Sequence, residues 1–251
     1  MRHTFNISTA AMLIAAGAGL RIAKHGNRHV GRGRRHRRAG GARRAHRPEP
    51  EQVAACIGEA GVGFLFAQAF HPAMRHVAPV RRELGVRTLF NLLGPLTNPA
   101  GGAAPIGRRV RPHLGGAARR GARHLGSRHA MVVHGEDGLD ELSLTGPSWV
   151  AEWRDARCTA IASPRATSAC ELCAGRARRR TGGRQCRHPA RRPLRAGNAG
   201  ATTSCALLNA GAALYVGGAV ASIAAGIERA RAAMASGAAT RALGFIRVSS
   251  R

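Results

Sequence analysis

Three stretches of this 251-residue chain cannot supply a hydrophobic core, and they limit what the rest can build. Val30–Arg47, Gly101–His124 and Cys158–Cys205 hold 24 of the 40 Lys and Arg residues against a single acid, Glu171. Rich in Arg, Ala, Gly and Pro and without apolar periodicity, they bury too little apolar surface to offset the entropy of ordering them. A fold must therefore come from the segments between them. Those segments carry 16 basic and 11 acidic residues, an ordinary balance, so the formal charge of +28 is weak evidence for function. Shifted codons of a GC-rich gene yield this same composition, and out-of-frame translation is the reading we favour for the three stretches. Basic arms that bind nucleic acid are the alternative.

Between them the chain is patterned. Thr4-Phe-Asn-Ile-Ser-Thr9 leads into an apolar run too short to span a bilayer, which predicts a buried helix capped by Ser8 or Thr9 and ending at Gly17 or Gly19. Arg21-Ile-Ala reads as a short buried strand delivering Lys24-His-Gly-Asn-Arg28 to a loop. Glu49 to Ala60 predicts a helix with Val53, Ile57 and Cys56 on one face. Met74, Val77, Val80 and Leu84 stand at helical spacing closed by Gly85, and Gly94-Pro95 and Asn98-Pro99 mark turns. Ala130-Met-Val-Val-His134 predicts an apolar strand running into an acid-rich loop, and Ser148–Trp153 another strand or hairpin edge. Beyond it no pattern is legible until Leu207, and Ile223, Ile227, Ala230 and Met234 predict a closing alanine-rich helix over Ser222–Leu243.

The candidate chemistry is modest. Asp140 and Glu141 are adjacent carboxylates in a loop after a strand; by themselves they read as a solvated turn, and they are also able to share a hard cation such as Mg2+. Glu136 and Asp137 read as surface charges, and His71 and His76 as helix-cap or core residues. Cys170, Cys173, Cys186 and His188 imitate zinc ligands, but their spacing is wrong and their segment has no core. Cys56 reads as a small apolar residue. No disulfide framework is implied, which fits a reducing cytoplasm.

The run His71-Pro-Ala-Met74, Pro79-Val-Arg-Arg-Glu-Leu-Gly85, Arg87-Thr-Leu-Phe-Asn91 and Leu93-Gly-Pro-Leu-Thr-Asn-Pro99, in this order, closely resembles the anthranilate phosphoribosyltransferases. The resemblance extends to Thr4–Arg28, Pro50–Ala100, Gly126–Asp155 and Leu207 to about Leu243. It implies an α/β phosphoribosyltransferase-like catalytic domain, akin to the nucleoside phosphorylases, with a central sheet flanked by helices and one incomplete domain over residues 1–251. It implies that Thr4, Asn6, Ile7, Ser8, Thr9, Lys24, His25, Gly26, Asn27 and Arg28 contact phosphoribosyl pyrophosphate. Asn27 and Arg81 would meet anthranilate, Arg81 through its carboxylate, and Ser8, Asp140 and Glu141 would hold Mg2+. No side chain acts as a nucleophile in this scheme, and no nucleic acid or membrane takes part; a homodimer is compatible with it. Arg75, Arg82 and Arg87 read as surface or packing residues.

Two departures from the family pattern matter. Its helical domain and the Gly-Thr-Gly-Gly-Asp loop that cradles pyrophosphate precede the point matched by Thr4, and His29-Val-Gly-Arg-Gly-Arg-Arg35 stands where the family has a hydroxyl-rich loop. Weak catalysis is therefore expected, and a catalytically dead fragment or a basic nucleic-acid-binding protein is the competing reading.

Overall fold

The computed structural model describes residues 6–26, 49–85, 97–101, 106–108, 121, 123–154, 157–163 and 200–248. The first helix, α1 (Ile7–Gly17), explains the rest of the packing. Seven consecutive residues, Ala10 to Ala16, are buried, and a helix that is apolar all round must be enclosed. Three helices enclose it: α5 (Ala201–Val216), α6 (Ile223–Ala235) and α7 (Ala238–Val248). Their Ala206, Leu207, Ala210, Leu214, Ala230, Met234, Ala239 and Ala242 form one core cluster with α1 and with Val62 of the sheet below.

Among the described residues the strands fall into two sheets. β1 (Ile22–Gly26) pairs in parallel with β2 (Val62–Phe66), and helix α2 (Pro50–Ala60) lies between them in sequence. The second sheet runs β3 (Ile106–Arg108), β4 (His129–Gly135), β5 (Ser148–Arg154), β6 (Arg157–Ser163), with β3 parallel to β4 and the others antiparallel. Met131, Val133 and Val150 on one face of β4–β5 pack with Leu208, Ala212 and Val216 of α5 and Ile227 of α6, so α5 belongs to both cores and joins them. No described helix is long and apolar enough to cross a membrane.

Several sequence expectations need correcting. β5 is the strand expected over Ser148–Trp153, but β6, from its second residue on, and the first turn of α5 fall inside the stretch 158–205. β3 likewise falls inside 101–124. The closing helix is two helices: Gly237 adopts φ 73° after α6, a left-handed conformation that stops a helix and that glycine adopts without strain. β1 is only half-buried along its length. Helix α2 forms as expected, with Val53 buried and Cys56 and Ile57 half-buried. Helix α4 (Met74–Leu84) follows the short α3 (Ala67–Phe70) and has its apolar residues in register, but Val80 and Leu84 are more than half exposed.

The α5–α6 crossing is unusually close. A Cβ built on Gly226 would overlap the carbonyl oxygen of Gly211 and lie 2.9 Å from that residue's Cα. Only a pair of glycines lets the two backbones meet in this way.

Candidate active site

The candidate site residues that are described lie at two places. The first is the start of α1. Asn6, rather than Ser8 or Thr9, caps the helix: its Oδ1 accepts the backbone N–H of Thr9 at 3.1 Å and the Ser8 hydroxyl at 2.9 Å. Asn, Ser and Thr are all good caps, and the choice falls to the residue whose own backbone is still outside the helix. That use frees Ser8 Oγ to accept Lys24 Nζ at 2.6 Å, from the adjoining strand β1. A cation at a helix N-terminus adds to the positive end of the dipole instead of cancelling it, and the first turn of α1 holds no acidic residue. The arrangement suits an anion that can take backbone N–H groups, a hydroxyl and an ammonium together.

β1 presents Lys24, His25 and Gly26 at its carboxyl end, where ligands bind in parallel α/β sheets. Two residues that sequence reasoning does not select for the site support this end. His71, which ends α3, sets its Nε2 3.0 Å from His25 Nε2 with the rings edge to face, so one ring donates to the other. Asn98 donates Nδ2 to the Ala23 carbonyl at 2.9 Å and closes its own turn through Ala100 N–H and Gly101 N–H. The Asn-Pro dipeptide signals a turn, but not that the turn reaches back to β1. His76 is neither cap nor core; it is exposed on α4 and accepts Arg75 Nε at 3.0 Å. Arg81 is half-buried two turns into α4.

The second place is the loop between β4 and β5. Glu141 is 8% exposed and Asp140 half-buried. Asp137 is no surface charge: it accepts Leu139 N–H at 3.1 Å, the Ser143 hydroxyl at 2.6 Å and the hydroxyl of Thr145, and so folds the loop around itself. Ser143 is wholly buried, and its N–H donates to Ser148 Oγ at 2.9 Å. Across the loop, Asn209 of α5 accepts Leu142 N–H at 3.0 Å and donates to the Leu142 carbonyl at 3.0 Å.

Asp140 and Glu141 offer hard oxygen donors. Among the described residues no group of three or more His, Cys, Asp or Glu is gathered to hold a metal on its own. A cation on this pair would keep positions for ligand oxygens, which fits Mg2+ rather than a closed zinc site. Thr4, Asn27 and Arg28 lie outside the described residues, as do Arg87 and the zinc-like Cys170, Cys173, Cys186 and His188.

A further polar cluster closes the far end of β4 and β5. Glu152 Oε1 accepts Tyr215 OH at 2.8 Å and faces His129 Nε2 at 2.7 Å, and Arg154 Nη1 donates to Tyr215 OH at 3.1 Å. Burial, and then the bond donated to Glu152, hold the Tyr215 hydroxyl above the usual phenol range.

Residues 2–240 match the family described as glycosyl transferase family, a/b domain. An anthranilate phosphoribosyltransferase of Methylibium petroleiphilum is 44% identical over 242 residues, covering 96% of this chain and 70% of that protein. The crystal structure of anthranilate phosphoribosyltransferase from Thermus thermophilus superposes with TM-score 0.78 at 36% identity, over 100% of this chain and 74% of that one. The Saccharomyces cerevisiae enzyme, in complex with PRPP and Mg, shares the fold at TM-score 0.68 and 22% identity, over 99% of this chain and 70% of that one. The fold, the strings around its two polar centres and these likenesses agree: the chain belongs to the anthranilate phosphoribosyltransferase family of glycosyl transferases.

Proposed function

We propose that this chain carries its family's reaction in the cytoplasm: the amine of anthranilate attacks the anomeric carbon of phosphoribosyl pyrophosphate, the C–O bond to pyrophosphate breaks, and the amine loses a proton. The observation that carries this reading is the Lys24–Ser8–Asn6 corner at the start of α1. Lys24 gives it a point charge, Ser8 a hydroxyl, and the first turn its backbone N–H groups, a set that matches a diphosphate. Thr4, Ile7, Thr9, His25, Gly26, Asn27 and Arg28 complete the contacts with phosphoribosyl pyrophosphate, and Asn27 and Arg81 orient anthranilate, Arg81 by pairing with its carboxylate.

Ser8, Asp140 and Glu141 are the residues that would hold Mg2+. When bound, Mg2+ neutralises charge building on the departing pyrophosphate. Positioning and charge neutralisation carry such a transfer, so no nucleophilic side chain is required. The competing nucleic-acid reading rests on the Arg-rich composition alone and gains nothing from the fold or the relatives.

The test is loss of anthranilate fluorescence in the presence of phosphoribosyl pyrophosphate and Mg2+. Lys24→Met is expected to raise the KM for phosphoribosyl pyrophosphate, and Asp140→Ala with Glu141→Ala to abolish turnover. Turnover that survives both changes would sink the assignment.

A further inference from the structure

The site's acidic loop is twelve residues long, from Glu136 to Pro147, and its middle is tied to α5 through the side chain of Asn209. Asn209, on α5, receives the N–H of Leu142 and returns a hydrogen bond to the carbonyl of the same residue, both at 3.0 Å. Its Nδ2 also donates to the Cys205 carbonyl at 2.9 Å, which locks the amide's own rotamer to the helix. Cys205 Sγ adds a weak contact to the Leu142 carbonyl at 3.7 Å. Leu142 itself is buried among Met131, Val133, Val150 and Leu208.

This geometry acts directly on Glu141. The Leu142 N–H belongs to the planar peptide unit that begins at the Glu141 Cα, so holding that plane places the Glu141 Cα and leaves rotation about its Cα–C bond to set the direction of the side chain. The Leu142 carbonyl belongs to the next peptide unit, so two successive planes are held by one amide. Asp137 gathers the flanks of the loop, and Asn209 ties its centre to a buried helix.

We infer that Asn209 is a positioning residue for the Asp140–Glu141 pair, acting through the backbone of Leu142. The inference rests on the proposed reading of that pair as the Mg2+ site. Residues that orient metal ligands without touching the metal change its affinity by about 10–100-fold when removed.

The probe is Mn2+ alone, titrated into the full chain and followed by water-proton relaxation, with hydrogen exchange of the peptide covering residues 136–147 measured in parallel. Asn209→Ala removes the whole clamp; Asn209→Asp keeps the acceptor facing Leu142 N–H and loses the donor, and serves if the first variant fails to fold. Tyr215→Phe, six residues further along the same helix, controls for general loosening. Both Asn209 variants are expected to weaken Mn2+ binding about tenfold or more and to speed exchange in the loop, while Tyr215→Phe changes neither. Unchanged Mn2+ affinity in the Asn209 variants overturns the inference and leaves the Mg2+ reading standing. A wild-type chain that binds Mn2+ no better than the Asp140→Asn, Glu141→Gln variant overturns the Mg2+ reading first, and this inference with it.

Discussion

Replacing Gly226 by alanine tests the fold at its tightest point. The added Cβ would overlap the Gly211 carbonyl oxygen and sit 2.9 Å from both the carbonyl carbon and Cα, against an ordinary contact distance of 3.4 Å or more. All three obstacles are backbone, so no side chain can swing aside, and α5 and α6 must part by at least half an ångström along their contact. Overpacking of this kind costs about 1–3 kcal/mol. Alanine is the better helix former by about 0.5–1 kcal/mol, which offsets part of that. The net loss of roughly 0–2.5 kcal/mol corresponds to a fall in Tm of up to about 10 °C for a chain of this size. Gly58, in the last turn of α2 with nothing within 4 Å of a built Cβ, provides the comparison. Gly58→Ala gains the same propensity with no clash and should raise Tm by about 1–4 °C. Differential scanning calorimetry of the two variants beside the wild type decides it. Equal rises in both would refute the close α5–α6 crossing.

The raised Tyr215 hydroxyl gives a pH dependence with a definite sign. Because the folded state holds that proton more tightly than the unfolded chain, its contribution is complete below about pH 10 and is lost as pH rises through the folded value. Thermal unfolding of Tyr215→Phe should therefore show a flatter alkaline decline than the wild type; parallel declines would remove the link. At the loop, Asp137→Ala takes one carboxylate away from Leu139 N–H and the hydroxyls of Ser143 and Thr145. A loss of about 1–3 kcal/mol in urea unfolding is expected, and an unchanged midpoint would return Asp137 to the surface role its sequence suggests.

Much of this architecture is legible in the sequence, and where it is not the reason is physical. Local signals find α1, α2 and α4: an apolar run behind cap residues for the first, and apolar spacing with flanking caps for the other two. The cap of α1 is misplaced by two or three residues, since Asn6, Ser8 and Thr9 have nearly equal cap propensity and only the chain's entry angle decides. The break at Gly237 is present in Ser236-Gly237, but the alanines on either side carry the helical pattern across it. β6 and the start of α5 escape because composition averages over a whole Arg-rich window, whereas a strand needs only a short run, and Cys158-Thr-Ala-Ile-Ala-Ser163 provides one. Asp137 escapes for a different reason: an acid in a turn looks the same in sequence whether its partners are water or two hydroxyls.

The two halves of the candidate site differ in the same respect, and this decides how each can fail. Lys24 and Ser8 are 16 residues apart, and Asn6, Ser8 and Thr9 form one helical turn, so the anion corner is built almost entirely from local contacts. Asp140 and Glu141 stand in a loop whose centre is held by a residue 67 positions away. The first half can be read from a short motif; the second becomes visible only when α5 is placed. Asn209 lies two residues before Gly211, the glycine on which α6 rests. A displacement of α5 by Gly226→Ala would therefore move the clamp on Leu142 together with the helix, whereas the α1 corner, fixed by its own turn and by β1, would move less. The expected signature is a Mn2+ affinity that falls along with Tm in Gly226→Ala while the KM for phosphoribosyl pyrophosphate changes little. Equal losses at both centres would mean that α1 follows α5 as one rigid body, and that the site has one support instead of two.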